Sequence, residues 1–144
     1  MEYFSELTAF AAGLLFASIL IAPTPTFETA FSGTRTATTN IAAVSSQGNG
    51  ALGEIHAKIS PGDGSTLLNA DPFIETDTQA SAKTAKIVAQ DFTEDKLDNK
   101  DITYSFRIDG NYVGGPSAGA AMTLATVAAI ENRSVPQNIA VTGT

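Results

Sequence analysis

Hydrophobic and polar positions follow three rhythms along this chain. Leu7 to Ala22 is a continuous apolar run, LTAFAAGLLFASILIA. Strand-like alternation appears at Ile41 to Ser45, Leu52 to Ile59 and Ile102 to Ile108, with Thr66-Leu67-Leu68 as a shorter extended run. In the second of these, Ile55, Ala57 and Ile59 share one face, and His56 falls on the opposite, polar one. Helical spacing brings Ala82, Ala85, Val88, Ala89 and Phe92 onto one face, so a helix is expected from a cap at Asp77 or Thr78 to about Phe92. Lys83 and Lys86 lie away from the centre of that face. Ala118 to Ile130 is apolar nearly throughout and predicts a buried helix, and Ile139-Ala140-Val141 begins a last strand.

The breaks between these runs have their own chemistry. Pro23-Thr24-Pro25-Thr26 ends any helix. The Thr-, Ser- and Gly-rich stretch to about residue 39 then reads as a tether. Turn-forming clusters stand at Ser46 to Gly50, Pro61 to Gly64, Asp71-Pro72 and Glu131 to Pro136. Asp91 to Asp101 is dense in charge around one sizeable apolar residue, Leu97, and predicts a solvated helix end and loop. The division expected is a hydrophobic segment over residues 1–24, a Thr/Pro-rich linker over 25–39, and a folded domain over 40–144. As a helix, the 16 residues Leu7 to Ala22 span ~24 Å, a little short of the ~30 Å hydrocarbon core. A signal peptide, an uncleaved membrane anchor and a buried core helix are the three readings. Terminal position and the polar stretch that follows favour the first two, hence a membrane-associated or exported protein.

Composition narrows the partners. The chain has 144 residues, one domain's worth, and a net charge of −7 with no basic cluster, which argues against nucleic acid. Without cysteine there are no disulfides or thiolate metal sites, and one histidine, His56, cannot build a multi-histidine zinc centre. Neither a metal nor another cofactor is expected.

The chemistry concentrates in Gly114-Gly115-Pro116-Ser117-Ala118-Gly119-Ala120-Ala121-Met122. Ser117 stands near the first position of a helix, behind a flexible turn. Pro116 suits that place because its missing N–H is an orphan there anyway. The helix start offers free N–H groups and a positive dipole end, which stabilise negative charge beside the hydroxyl. Three readings of the serine follow: a plain helix cap, an acyl-transfer nucleophile, or an anion-binding helix start. A nucleophile elbow of the G-x-S-x-G kind fits the letters, but no histidine follows. A phosphate loop is not matched, since no Gly-Lys-Ser/Thr follows the glycines.

Gly115-Pro116-Ser117-Ala118-Gly119-Ala120-Ala121-Met122 resembles the nucleophile motif of the Lon protease family. Residues from about Asn40 to Thr144 resemble the front of a Lon-type proteolytic domain, as in the archaeal Lon-like serine proteases with an N-terminal hydrophobic segment and no fused ATPase. Asp77-Thr78-Gln79-Ala80-Ser81-Ala82 is similar to the start of that family's first long helix. Ala140-Val141-Thr142-Gly143-Thr144 is similar to its threonine-bearing strand end. The resemblance implies an α/β (α+β) fold, a mixed sheet with packed helices, truncated here. It implies a serine endopeptidase acting on polypeptide through an acyl-enzyme. Ser117 matches the nucleophile, and Thr142 the threonine that orients a lysine base. Gly114, Gly115 and Pro116 match the loop beside the scissile bond, and the substrate would lie extended along a strand edge. Lon-type domains commonly form rings, so a homo-oligomer is implied, and any ATPase would be a separate subunit.

Two departures stand out. Many Lon proteases carry an acidic residue three positions before the serine, where this chain has Gly114. The family's lysine lies in a helix beyond the strand that starts at Ile139, and none of the chain's five lysines, Lys58, Lys83, Lys86, Lys96 and Lys100, holds that place. The expectation is therefore an incomplete, inactive domain. Two rival classes are a non-catalytic peptide-binding module on the same fold and a small-anion or nucleotide binder at the helix start.

Overall fold

A computed structural model describes residues 31–44, 48–71, 73–108 and 112–144. The apolar run Leu7 to Ala22 lies outside the described residues. Among those described, no helix is long and apolar enough to cross a membrane.

The chain is a mixed α+β fold. In order it forms β1 (Arg35–Val44), β2 (Gly50–Pro61), β3 (Thr66–Ala70), β4 (Phe73–Ile74) and α1 (Thr76–Thr93). Then come β5 (Lys100–Ile108), β6 (Tyr112–Val113), a 3-10 turn (Pro116–Ala118), α2 (Gly119–Ile130) and β7 (Ala140–Val141). Five strands make one sheet in the order β3-β5-β2-β1-β7, and β4 and β6 pair separately. β2 is antiparallel to both β1 and β5, whereas β3 runs parallel to β5 and β7 parallel to β1.

Alternation sets the two faces of this sheet. Ala37 stands opposite Ala57, which stands opposite Tyr104. With Thr39, Ile41, Ile55, Ile59, Ile102 and Phe106 these residues form the buried face. α2 covers β1 and β2, while α1 packs against α2 and β3. The small residues Ala121, Ala125, Ala128 and Ala129 let α2 lie close to its neighbours, and Met122 fills the space between. The outer face is polar. There His56 accepts or donates at Thr38 Oγ1 (2.8 Å) and Glu54 Oε2 (3.1 Å), as its side of the strand predicts.

One buried polar tie joins the sheet to α2. Tyr104 and Thr126 are both fully buried, with their hydroxyls 2.6 Å apart. Thr126 also donates to Met122 O at 2.8 Å, which uses its only proton, so Tyr104 is the donor in the pair. Burial pushes the Tyr104 phenol up from 10 to about 12, and the bond to Thr126 opposes the rise only in part.

Four local expectations are corrected. β1 starts at Arg35, not Ile41, so residues 35–39 belong to the sheet instead of the tether. Thr36 to Thr39 pair with Ile55 to Lys58 and alternate in and out, which Thr and Ala permit without any large apolar side chain. α1 starts at Thr76, and neither Asp77 nor Thr78 is its N-cap; that position is Glu75, which makes no capping bond. Val88 and Phe92 are 45% and 71% exposed, because the buried stripe of α1 is the narrower set Thr78, Ala82, Ala85 and Ala89. Asp91 to Asp101 is not a solvated helix end and loop throughout: Leu97 is fully buried, and Lys100 is a buried first residue of β5.

Candidate active site

The serine turn is built where the parallel pair of β4 and β6 ends. Ile74 of β4 pairs with Val113 of β6, so Glu75 and Gly114 leave the small sheet side by side. Gly115 follows with φ +83° and ψ 156°, a region open essentially to glycine alone. An added Cβ there would meet nothing within 4 Å, so the glycine is required by backbone geometry and not by crowding. Pro116 opens the 3-10 turn, and Gly119 closes it by donating its N–H to Pro116 O.

Both polar groups of Gly115 are held from α1. Its N–H donates to Glu75 Oε2 at 3.0 Å, and its carbonyl accepts from the Thr78 hydroxyl at 3.1 Å. Ser81 Oγ reaches Pro116 O at 3.3 Å. The other side is held by the chain end that follows β7. Gly143 N–H donates to Ser117 O at 2.7 Å, and Gly143 O accepts from Ala120 N–H at 3.0 Å. Gly143 has φ +150°, and a Cβ there would touch Ala120 Cβ at 3.5 Å.

This double grip brings Ser117 and Thr142 to one open cleft of about 320 Å³. Ile41, Ala42, Ala43 and Val44 of β1 line one side, and Ile108, Gly114 and Ala118 complete it. Ser117 and Thr142 are both exposed. The Ser117 hydroxyl makes no hydrogen bond among the described residues. Its own N–H has no acceptor outside the turn among them. Gly114 lines the cleft, whereas Gly115 and Pro116 shape the turn behind it. Ser117 thus brings a hydroxyl at a helix start to the cleft, and N–H groups at such a start can receive a developing oxyanion.

Among the described residues, no lysine, histidine or carboxylate lines the cleft. Lys86 is engaged at Gly64 O (2.6 Å) and Lys100 at Phe31 O (2.5 Å). His56 sits with Thr38 and Glu54 on the outer face of the sheet. A larger opening of about 460 Å³ lies elsewhere, between Asn40, Glu54, Arg107 and the 137–140 segment. It holds no hydroxyl nucleophile beside a helix start, so the smaller cleft is the better candidate. Among the described residues, no group of three or more His, Asp or Glu is placed to hold a metal ion.

Sequence reasoning assigned Ser117, Thr142 and the glycine loop to the site; it placed Thr78 and Ser81 only at a helix start and did not single out Glu75. The available signal was a polar residue, Thr78, continuing the alanine stripe of α1 where an apolar one would be ordinary. No family model matches the chain, and no curated protein matches it.

Proposed function

We propose that this chain carries a serine endopeptidase site of Lon type, and that its five-stranded sheet and two helices are the front part of a Lon-type proteolytic domain. The observation that carries this reading is that Ser117 and Thr142 line one open cleft at a turn only glycine can make. The resemblance of Gly115 to Met122 to the family's nucleophile motif supports it. In the reaction, Ser117 Oγ attacks the scissile carbonyl carbon and loses its proton to a base. Backbone N–H groups of the turn receive the oxyanion, the amine leaves with a proton, and water then cleaves the acyl-enzyme. The base is a lysine amine from outside these 144 residues, kept neutral by desolvation. Thr142 orients that amine. An extended substrate pairs with the free edge of β1 beside Ala42 to Val44. Membrane attachment or export through Leu7 to Ala22, a ring of copies and a separate ATPase subunit belong to the same reading.

The test is a fluorophosphonate probe on the protein as its gene encodes it. Stoichiometric labelling that vanishes in Ser117→Ala supports the assignment. Labelling or peptide cleavage that survives Ser117→Ala refutes it. One rival is a peptide-binding groove without catalysis, since among the described residues the cleft is lined by small, apolar and hydroxyl side chains. Its mark is peptide binding that persists in Ser117→Ala with no cleavage by either form.

A further inference from the structure

We propose that Glu75 and Thr78, from the start of α1, are positioning residues of the serine turn, holding Gly115 in its glycine-only conformation so that Ser117 faces the cleft. The proposal rests on the nucleophile reading of Ser117. Three features of the fold carry it. Gly115 is the bend that sends the chain from β6 into the 3-10 turn, and its φ of +83° with ψ of 156° is an uncommon state that needs support from its surroundings. Both of its hydrogen-bonding groups are bound by side chains about forty positions earlier in the chain, at 3.0 and 3.1 Å. Those side chains are withdrawn from the usual duty of a helix start: Glu75 is the N-cap of α1 yet makes no capping bond.

Burial adds weight to Thr78. Its side chain is fully buried in a stripe otherwise made of Ala82, Ala85 and Ala89, where a hydroxyl is stabilising only if bonded. Its bond goes to Gly115 O. The Glu75 bond pairs a carboxylate with a backbone N–H, the stronger class of contact. It also occupies the Gly115 N–H, and Pro116 has none, so the Ser117 N–H is the first in the turn left for an oxyanion. Loosening either contact lets Gly115 relax and swings Ser117, and a displacement of ~1 Å at a reacting group costs about 10²-fold in rate.

The experiment uses the protein as its gene encodes it and measures two things: the rate of fluorophosphonate labelling at Ser117, and amide exchange at Gly115 with the core amide of Tyr104 as reference. Thr78→Val keeps the shape and removes the donor, and Glu75→Ala removes the acceptor. The expected result is labelling slowed by about tenfold to a hundredfold, with Gly115 exchange at least about tenfold faster and Tyr104 exchange unchanged. Thr78→Ser and Glu75→Gln, which restore a donor and an acceptor, should bring both readouts back to within a few-fold. Unchanged exchange at Gly115 in both variants overturns the proposal, as does faster exchange with undiminished labelling. Equal acceleration at Gly115 and Tyr104 also overturns it, because the residues then serve stability alone. A wild-type protein that never labels refutes the nucleophile reading separately; the clamp on Gly115 is then decided by exchange alone, where faster exchange in Glu75→Ala supports it and unchanged exchange refutes it.

Discussion

Thr126→Val should cost more stability than Tyr104→Phe, although both break the same contact. In the wild type the Thr126 proton goes to Met122 O, and Tyr104 donates to the Thr126 oxygen. Valine in place of Thr126 strands the Tyr104 hydroxyl in a fully buried site, at about 1–3 kcal/mol. Phenylalanine in place of Tyr104 removes the donor and leaves Thr126 bonded to Met122, so the loss is nearer 1 kcal/mol. The double variant should match Tyr104→Phe closely, since no orphan remains. Urea denaturation monitored by circular dichroism measures all four proteins. The same pair makes a pH prediction. The Tyr104 phenol stands at about 12 in the fold against 10 when exposed. Between those values the unfolded chain ionises this tyrosine while the folded one keeps it neutral, so rising pH favours unfolding. Stability from this group is complete well below pH 10 and declines by about 2.3 kcal/mol by pH 12, relative to Tyr104→Phe. Equal costs for the two single variants would refute the donor assignment. Parallel pH curves for wild type and Tyr104→Phe would refute the role of burial.

Two further substitutions test the fold and the turn. Gly115→Ala should destabilise by about 1–3 kcal/mol through backbone strain alone, since no neighbour lies within 4 Å of the added methyl; thermal unfolding checks it, and a neutral outcome would mean the turn has another shape. Thr39 is fully buried, and its hydroxyl has no partner among the described residues. Thr39→Val should therefore raise stability by about 1 kcal/mol or leave it level; a clear loss in urea denaturation would reveal a partner for that hydroxyl.

Local pattern made the sheet legible, because each central strand has one face under helices and one in water. Ile55, Ala57 and Ile59 announce β2, and the apolar run after Ser117 announces α2. The start of β1 was hidden because Ala37 and Thr39 fill buried positions with small side chains. The site was half legible. The glycines, Pro116 and Ser117 are contiguous, and their shared conformation follows from residue type. Glu75 and Thr78 act through contacts to Gly115 that span about forty positions, which no local window contains. The helical spacing that placed Val88 and Phe92 inside was correct as periodicity. It could not say how wide the covered stripe of α1 would be.

The two backbone bonds at Gly143 bear on the order of events during synthesis. Everything that shapes the front of the serine turn, from Glu75 to Ala118, emerges from the ribosome before the residue that latches its back. Until Gly143 arrives, Ser117 O and Ala120 N–H lack their partners, and Thr142 cannot take its place at the cleft. A growing polypeptide thus completes the back of the serine turn only once Gly143 has been added, after the strands and helices on which the turn rests have been laid down.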